Sequence, residues 1–493
     1  MTDVCLILEG TYPYTAGGVS VCVYNLIKNL PHIDFSIVHI SPTGDTPREL
    51  HYPLPNNIKE FKEIFLFDLE FLDEKGFDHT KESDWNLIVE FHRQMKQKKM
   101  DHFKDIYTHF FHPEYKKINL PALFNSKNAW KVLQNLYLNS GLRHSFSDFF
   151  WNWRFIHYPI FKLLSVKVPE SKIYHTMCTG YAGLLSVVAK IQTDRPVILT
   201  EHGIYSIERQ LEIAQAEWIA KVPGEEKIQA ERTPGFFKQW WINIFNMMGL
   251  LCYEYADQIT TIFEGNRIKQ IELGANPIKT RIIPNGIAVG IYENLKKVSD
   301  ERRTPFFRIG FVGRVVPIKD VKTLIRAIKI LHDRTKNIEV LILGPLEEDP
   351  HYVEECQTLI RSLQLDALIQ FKGKVSIENY YSTLDVVVLT SLSEGLPLVI
   401  LEANSAGIPV IATDVGGCKE LLYGRTEEDR ELGKSGIITL PASPKETADA
   451  LYSMLTDEKA RLHMGTVGKR RMSQFYKEKN VIDEYHVVYQ QFL

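Results

Sequence analysis

The sequence has no excess of positive charge, no uninterrupted apolar run long enough to cross a bilayer, and no paired cysteines. Its 58 Lys and Arg face 61 Asp and Glu, a formal net charge of −3. General nucleic-acid binders carry a basic field, so that class is excluded and any anionic ligand must be met by local cations. The most apolar stretch, Phe236–Ala256, is interrupted by Lys238, Gln239, Asn243, Asn246 and Glu254. A membrane span needs roughly 20 nearly unbroken apolar residues, so the stretch reads as a buried helix. The six cysteines (5, 22, 178, 252, 356 and 418) lie apart, with no Cys-x-x-Cys. Neither a zinc site nor a disulfide framework is expected, and the pattern suits a reducing compartment. The amino terminus, MTDVCLILEG, has Asp3 where an export signal carries basic residues. It reads as a first buried strand, and a cytoplasmic location is expected.

What the sequence does have is repetition of short apolar, β-branched runs between helical patterns. At 493 residues it is too long for one compact core. The runs in the first half are Val4–Leu8, Phe35–Ile40, Lys172–His175, Val197–His202, Gln258–Phe263 and Arg281–Pro284. Those in the second half are Phe307–Gly313, Glu339–Gly344, Ile369–Gly373, Val386–Thr390, Pro409–Asp414 and Gly436–Leu440. Continuous apolar runs bounded by Gly or Pro indicate strands buried on both faces of a parallel sheet. An α/β chain of two Rossmann-like, doubly wound domains is therefore expected, with a polar break near Glu293–Thr304. The boundaries read as 1–290, 291–476 and a terminal helix over 477–493 that packs back on the first domain. One region departs from the alternation. From about 68 to 165 the pattern is helical and rich in aromatics, with Trp85, Trp130, Trp151 and Trp153 among the seven tryptophans of the chain. It is expected to be a helical insertion with a small core of its own, or else a docking surface for a partner.

The strongest chemical signal is the segment Ser393–Glu402, in which Glu394 and Glu402 bracket seven residues and Gly395, Leu396 and Pro397 follow the first glutamate. A strand precedes it, and Pro397 suits the start of a helix, where a missing N–H is not needed. Helix starts present free N–H groups and favour anions. A carboxylate beside such a site suits hydrogen bonds from sugar hydroxyls, although a capping glutamate and a surface glutamate would give the same pattern. The second signal is Gly310–Asp320, where Arg314 and Lys319 follow a strand ending at Gly313. A planar guanidinium and a mobile ammonium neutralise phosphate oxygens, and no Asp-x-Asp pair exists anywhere to hold a metal instead. Two solvated basic residues are the plainer reading. Third, Gly17 and Gly18 in Glu9–Ser20 let backbone approach a phosphate before a helix begins, or make only a turn. Fourth, His175 and His202 end neighbouring strands. Each alone suits a structural histidine, but together they point to a ligand site at the strands' carboxyl ends. Pro284-Asn285-Gly286-Ile287 reads as a hinge. Val375 closes a strand where a base could stack, and the glycines of Asp414–Glu420 suit a turn.

Together and in this order, these pieces resemble glycosyltransferase family four, the large retaining family of the GT-B fold. The resemblance covers nearly the whole chain apart from the insertion. The Glu-Gly-Thr-Tyr-Pro-Tyr-x-x-Gly-Gly-Val-Ser start and the Glu-His-Gly-Ile-Tyr element are most similar to members serving bacterial exopolysaccharide synthesis from the cytosol. The resemblance implies two Rossmann-like domains facing a cleft and transfer of a sugar from a UDP-sugar to a glycan acceptor, with anomeric configuration retained. With Arg314 and Lys319 present and no Asp-x-Asp, no metal or other cofactor is expected. By position the resemblance places His175 against the donor sugar, Arg314 and Lys319 on the diphosphate, and Glu394 on the sugar hydroxyls. Gly395, Leu396 and Pro397 lend backbone contacts, Glu402 holds the ribose, Val375 touches the base, and Gly17 and Gly18 lie near the phosphates and acceptor. His202 belongs to a similar active-site strand with no role fixed, and Thr176 stands where members often have an aspartate. The aromatic insertion separately predicts docking to membrane-embedded synthesis proteins. A nucleotide-sugar epimerase, a sugar phosphorylase and a non-catalytic nucleotide-sugar-binding scaffold are the alternatives.

Overall fold

The computed structural model describes residues 1–44, 48–68, 76–95, 100, 102–115, 117–140, 145–216, 235–293, 295 and 306–493. The chain divides into two units: Met1–Thr261, Asn266–Arg281 and His486–Leu493 form the first, Ile262–Gly265 and Ile282–Tyr485 the second. The break expected near Glu293–Thr304 lies almost wholly outside the described residues. The boundary expected at 290/291 falls inside the second unit, which the chain touches at Ile262–Gly265 and re-enters at Ile282.

The first unit holds a seven-stranded sheet in the order β3-β2-β1-β4-β5-β6-β7. Its strands are β1 (Thr2–Glu9), β2 (Phe35–Ser41), β3 (Ile58–Phe65), β4 (Ser171–Thr176), β5 (Val197–Glu201), β6 (Gln258–Thr261) and β7 (Thr280–Ile282). The pairs from β3 through β6 are parallel. Strand order reverses direction where β1 meets β4, a switch point at which open α/β sheets bind ligands beyond the strands' carboxyl ends. The apolar runs read from the sequence are these strands, with one omission. The edge strand β3, Ile58–Phe65, carries the charged pairs Lys59-Glu60 and Lys62-Glu63 between apolar residues and is mostly half-buried, so no continuous apolar run marks it.

The insertion is helical: Glu82–Met95, Phe103–Phe110, Leu120–Asn125, Lys127–Leu138 and Phe146–Leu164. Ser126 and Ser145 cap two of these helices through their hydroxyls. The expectation of a separate small core is corrected, because Trp85, Phe110 and Trp153 belong to one continuous apolar cluster with Tyr174, Leu184 and Leu199 of the sheet layer. The helix Phe236–Tyr255 runs through that cluster. No described helix is long and apolar enough to cross a membrane. The terminal segment forms a helix over Glu478–Gln490.

The second unit holds a six-stranded sheet in the order β10-β9-β8-β11-β12-β13: β8 (Phe307–Val312), β9 (Ile338–Leu343), β10 (Ile369–Gly373), β11 (Val386–Leu389), β12 (Val410–Thr413) and β13 (Gly436–Thr439). All its pairs are parallel. Its switch point is β8/β11, in register Val386 opposite Ile309. The expected α/β architecture of two doubly wound parallel sheets is present.

Candidate active site

In the second unit the loops leaving β8 and β11 meet at the switch point. Leu392 N donates to Ile318 O at 2.8 Å, and Thr390 Oγ1 donates to Lys319 O at 3.2 Å and Asp320 O at 3.0 Å. Asp320 ends the first loop in a left-handed conformation and caps the helix Val321–Arg334 through Thr323 N at 3.2 Å. This lacing brings Lys319 Nζ to 2.5 Å from Glu394 Oε1, and Ser391 Oγ donates to the same oxygen at 2.5 Å. Arg314, on the same loop, turns outward to Glu348 at 2.8 Å.

A third loop supports the arrangement. Gly416 has φ +52, and a Cβ there would lie 2.2 Å from Glu394 O and 2.4 Å from Gly395 O. Gly417 N donates to Gly395 O at 2.7 Å. The glycines that suited a mere turn in the sequence therefore pin the loop bearing Glu394. Ser391 and Gly416 were not among the sequence candidates; their signal was position after a strand, without any distinctive chemistry. Leu396 and Pro397 are buried, and the helix Leu398–Ser405 begins immediately after Pro397 with no side-chain cap. Glu402, on that helix, accepts from Tyr381 Oη at 2.8 Å. Burial pushes its carboxyl above the usual range, opposed by hydrogen bonds from Tyr381 and Tyr292. Val375 is half-buried against the same core.

In the first unit a cavity of about 520 Å³ opens at the β1/β4 switch point. Glu9 at the end of β1 is held there by Tyr205 Oη at 2.6 Å and Ala182 N at 3.3 Å. Three buried polar atoms of its lining residues, Thr11 Oγ1, His202 Nε2 and Arg209 Nε, have no hydrogen-bond partner among the described residues. Buried polar groups left unpaired cost free energy, and clustering in one cavity marks a place for a polar ligand. Burial pulls His202 down to about 4, so it is neutral near pH 7 and its ring serves as donor or acceptor. Glu9, Thr11, Tyr205 and Arg209 escaped the sequence reading as site residues, since only the fold gathers the ends of β1 and β5.

Three candidates lie elsewhere. His175 is fully enclosed: Nδ1 shares a hydrogen with Tyr489 Oη at 2.7 Å, and Nε2 with Thr200 Oγ1 at 2.8 Å. Both ring nitrogens are thus engaged, and His175 does not line the cavity that His202 reaches. Burial and the neighbouring His202 pull it down to about 3. Gly17 and Gly18 are exposed at the start of the helix Gly18–Asn29, with open space where a Cβ would stand. Val19, not either glycine, reaches the cavity.

Residues 2–278, more than half of the chain, match the family described as "Domain of unknown function (DUF3492)", and residues 293–471 match "Glycosyl transferases group 1". The chain belongs to the DUF3492 family, and its second unit to the group 1 glycosyl transferases. It is 28% identical over 240 residues to D-inositol 3-phosphate glycosyltransferase of Kineococcus radiotolerans, covering 45% of this chain and 54% of that protein. The chain thus matches about half the length of this curated relative. It is 24% identical over 324 residues to the capsular polysaccharide biosynthesis glycosyltransferase CapM of Staphylococcus aureus, covering 64% and 76%. Among solved structures, Anabaena HepE in complex with UDP superposes with a TM-score of 0.59 at 15% identity, covering 99% of this chain and 100% of that one. At that identity the likeness is one of fold. The group 1 match spans both Lys319 and Glu394.

Proposed function

We propose that this chain is a retaining, metal-independent glycosyltransferase that moves a sugar from a UDP-sugar to a growing polysaccharide in bacterial exopolysaccharide biosynthesis. UDP-glucose or a UDP-N-acetylhexosamine is the donor. The observation that carries this reading is the Lys319–Glu394 pair at the β8/β11 switch point, 2.5 Å apart. A cation and a hydroxyl-binding carboxylate stand there beside a helix start, the combination a nucleotide sugar needs. The UDP in the HepE complex and the capsular name of the Staphylococcus aureus relative support donor and pathway class. The N-terminal motif and the aromatic insertion are similar to those of PelF, the cytosolic transferase of the bacterial Pel exopolysaccharide system.

In this reading the acceptor hydroxyl attacks the anomeric carbon as the bond to the phosphate oxygen breaks. That oxygen takes the acceptor proton on the same face, and no protein nucleophile is used. Lys319 and Arg314 absorb the charge gathering on the diphosphate, which is electrostatic stabilisation by groups already in place. Glu394 accepts hydrogen bonds from the sugar, Gly395 to Pro397 present backbone, Glu402 holds the ribose, and Val375 touches the base. The first unit's cavity takes the acceptor, with Glu9 and neutral His202 positioning its hydroxyls.

The test is transfer from a panel of UDP-sugars to polysaccharide fragments. Glu394→Ala and Arg314→Ala should each remove most turnover with the fold intact, and wild-type rates in either variant refute the site. Tight UDP binding without transfer to any acceptor identifies a scaffold. Donor turnover without acceptor identifies an epimerase, and phosphate-dependent glycan cleavage a phosphorylase. The proposal includes docking to membrane-embedded synthesis proteins through the insertion, where Trp151 is 62% and Phe155 47% exposed. Because the insertion shares its core with the sheet, Trp151→Ser rather than deletion of 68–165 is the variant to use. Unchanged recovery of those partners would count against docking.

A further inference from the structure

A second cavity, which the catalytic reading leaves unused, lies among the helices of the first unit. Its volume is about 640 Å³, within the roughly 300–1,000 Å³ of small-molecule sites. Phe149, Phe236 and Trp240 supply an aromatic wall. Phe149 stacks on Trp240 with centroids 5.2 Å apart at 26°, and Phe236 tilts against the same indole at 5.8 Å. Trp240 and Phe236 remain partly exposed, so part of this wall faces solvent.

Carboxamides complete the lining. Gln239 and Asn243 come from the helix Phe236–Tyr255, on the same side as Phe236 and Trp240 by their spacing. Asn135 and Asn139 come from the end of the helix Lys127–Leu138. They are oriented in pairs: Gln239 Nε2 donates to Asn243 Oδ1 at 2.9 Å, and Asn139 Nδ2 to Asn135 Oδ1 at 2.9 Å. A carboxamide has two donor hydrogens and two acceptor lone pairs, so each pair keeps capacity for a ligand.

Charge narrows the ligand. The guanidinium lining the cavity, Arg93, is already paired with Glu90 at 2.5 Å. His92 is engaged by Ile88 O at 2.7 Å and His157 Nε2 at 2.8 Å. Among the described lining residues there is no carboxylate. A cation finds no counter-charge here, and an alkyl chain would strip water from the amides without replacing its hydrogen bonds. A pyranose satisfies both surfaces, its C–H face on the aromatic wall and its hydroxyls on the amides.

We propose that this cavity is a second, non-catalytic glycan site that binds a neutral oligosaccharide. The helix Phe236–Tyr255 connects it to the acceptor cavity, which Phe245 lines. From Trp240 to Phe245 the helix rises about 8 Å, a separation one oligosaccharide spans. Binding of the glycan stands on the lining alone. Its use as a hold on the growing polymer rests on the proposed transferase activity.

The experiment is saturation-transfer NMR on the full chain with maltotetraose, cellotetraose and chitotetraose as probes. At least one probe binds the wild type at millimolar concentration, and Trp240→Ala weakens it by roughly tenfold or more, as removal of an aromatic anchor does. Since Trp240 packs on Phe149, the double variant Gln239→Ala/Asn139→Ala, at exposed positions, is the second test and lowers affinity several-fold. The UDP-induced thermal shift, which reports on the second unit, stays at the wild-type value in both. Absence of binding by all the probes overturns the proposal, as does binding undiminished in both variants. Oligosaccharide binding by a chain that transfers no sugar leaves the glycan site standing and removes the transferase reading.

Discussion

Lys319 Nζ and Glu394 Oε1 are 2.5 Å apart, with only 17% and 11% of their side chains exposed. A diphosphate brought to this loop competes with Glu394 for one ammonium. Glu394→Ala therefore releases Lys319 toward phosphate while depriving the sugar of its carboxylate. UDP should raise the melting temperature of Glu394→Ala at least as much as that of the wild type, while transfer falls about 10²–10³-fold. Lys319→Ala should lose both the UDP shift and the transfer. Thermal melts with and without UDP, beside initial rates, check this; a Glu394→Ala protein that no longer responds to UDP would sink it.

The strands and both chemical loops were readable because parallel sheets buried on two faces write continuous apolar runs, and their carboxyl ends carry the sites. The edge strand Ile58–Phe65 was not, since Lys59, Glu60, Lys62 and Glu63 break its run. Lys319 and Glu394 stood out by residue type, but only the fold shows that they form a pair and that Arg314 faces Glu348. His175 is a related case. Its place near a strand end was legible, but its partner Tyr489 is 314 residues away, so the face it occupies was not.

The two histidines should separate cleanly. The unfolded chain protonates His175 near 6.5, whereas the folded chain holds it neutral down to about 3. Below 6.5 the unfolded state binds the extra proton, so stability is lost as pH falls through that window, by up to about 1.4 kcal/mol per pH unit for each such histidine. His202, pulled to about 4, adds to the slope over its upper part. His175→Gln should lower stability by about 1–3 kcal/mol, flatten the acid limb, and keep transfer at pH 7 within a few-fold. His202→Ala should cost roughly tenfold or more in transfer, an interaction worth about 1.4 kcal/mol, with little change in melting temperature at pH 7. Melts at pH 7 and pH 5 with rates at pH 7 decide; a stable but inactive His175→Gln protein would return that residue to the chemistry.

Gly416 gives a test of loop position that leaves every charge in place. A Cβ at 2.2 Å from Glu394 O meets backbone, not the end of a flexible side chain, so the Glu394 loop must move. Gly416→Ala should destabilise the protein by about 1–3 kcal/mol and reduce transfer nearly as far as Glu394→Ala. Gly373 is the control. Its φ of +66 is also left-handed, yet nothing lies within 4 Å of a Cβ there. Gly373→Ala should carry only the conformational cost, about 1–2 kcal/mol, and retain most activity. Equal activity in the two variants would show that the contact with Glu394 O does not set the loop.

The leaving diphosphate is proposed to be neutralised by Lys319, Arg314 and the start of the helix Leu398–Ser405, without a metal. Arg314 must then leave Glu348 for the phosphate. With 54% and 47% of the two side chains exposed, that pair is worth only about 0–1 kcal/mol, so the exchange is easy. Glu348→Gln should keep the melting temperature and lower KM for the donor slightly, because the guanidinium is released in advance. Arg314→Ala should reduce turnover by about 10²-fold or more, and added magnesium should not restore it. Chelator treatment of the wild type should leave the rate unchanged. If the treated protein is inert and recovers only with magnesium or manganese, the ion carries the charge and the role given to Arg314 and Lys319 is wrong.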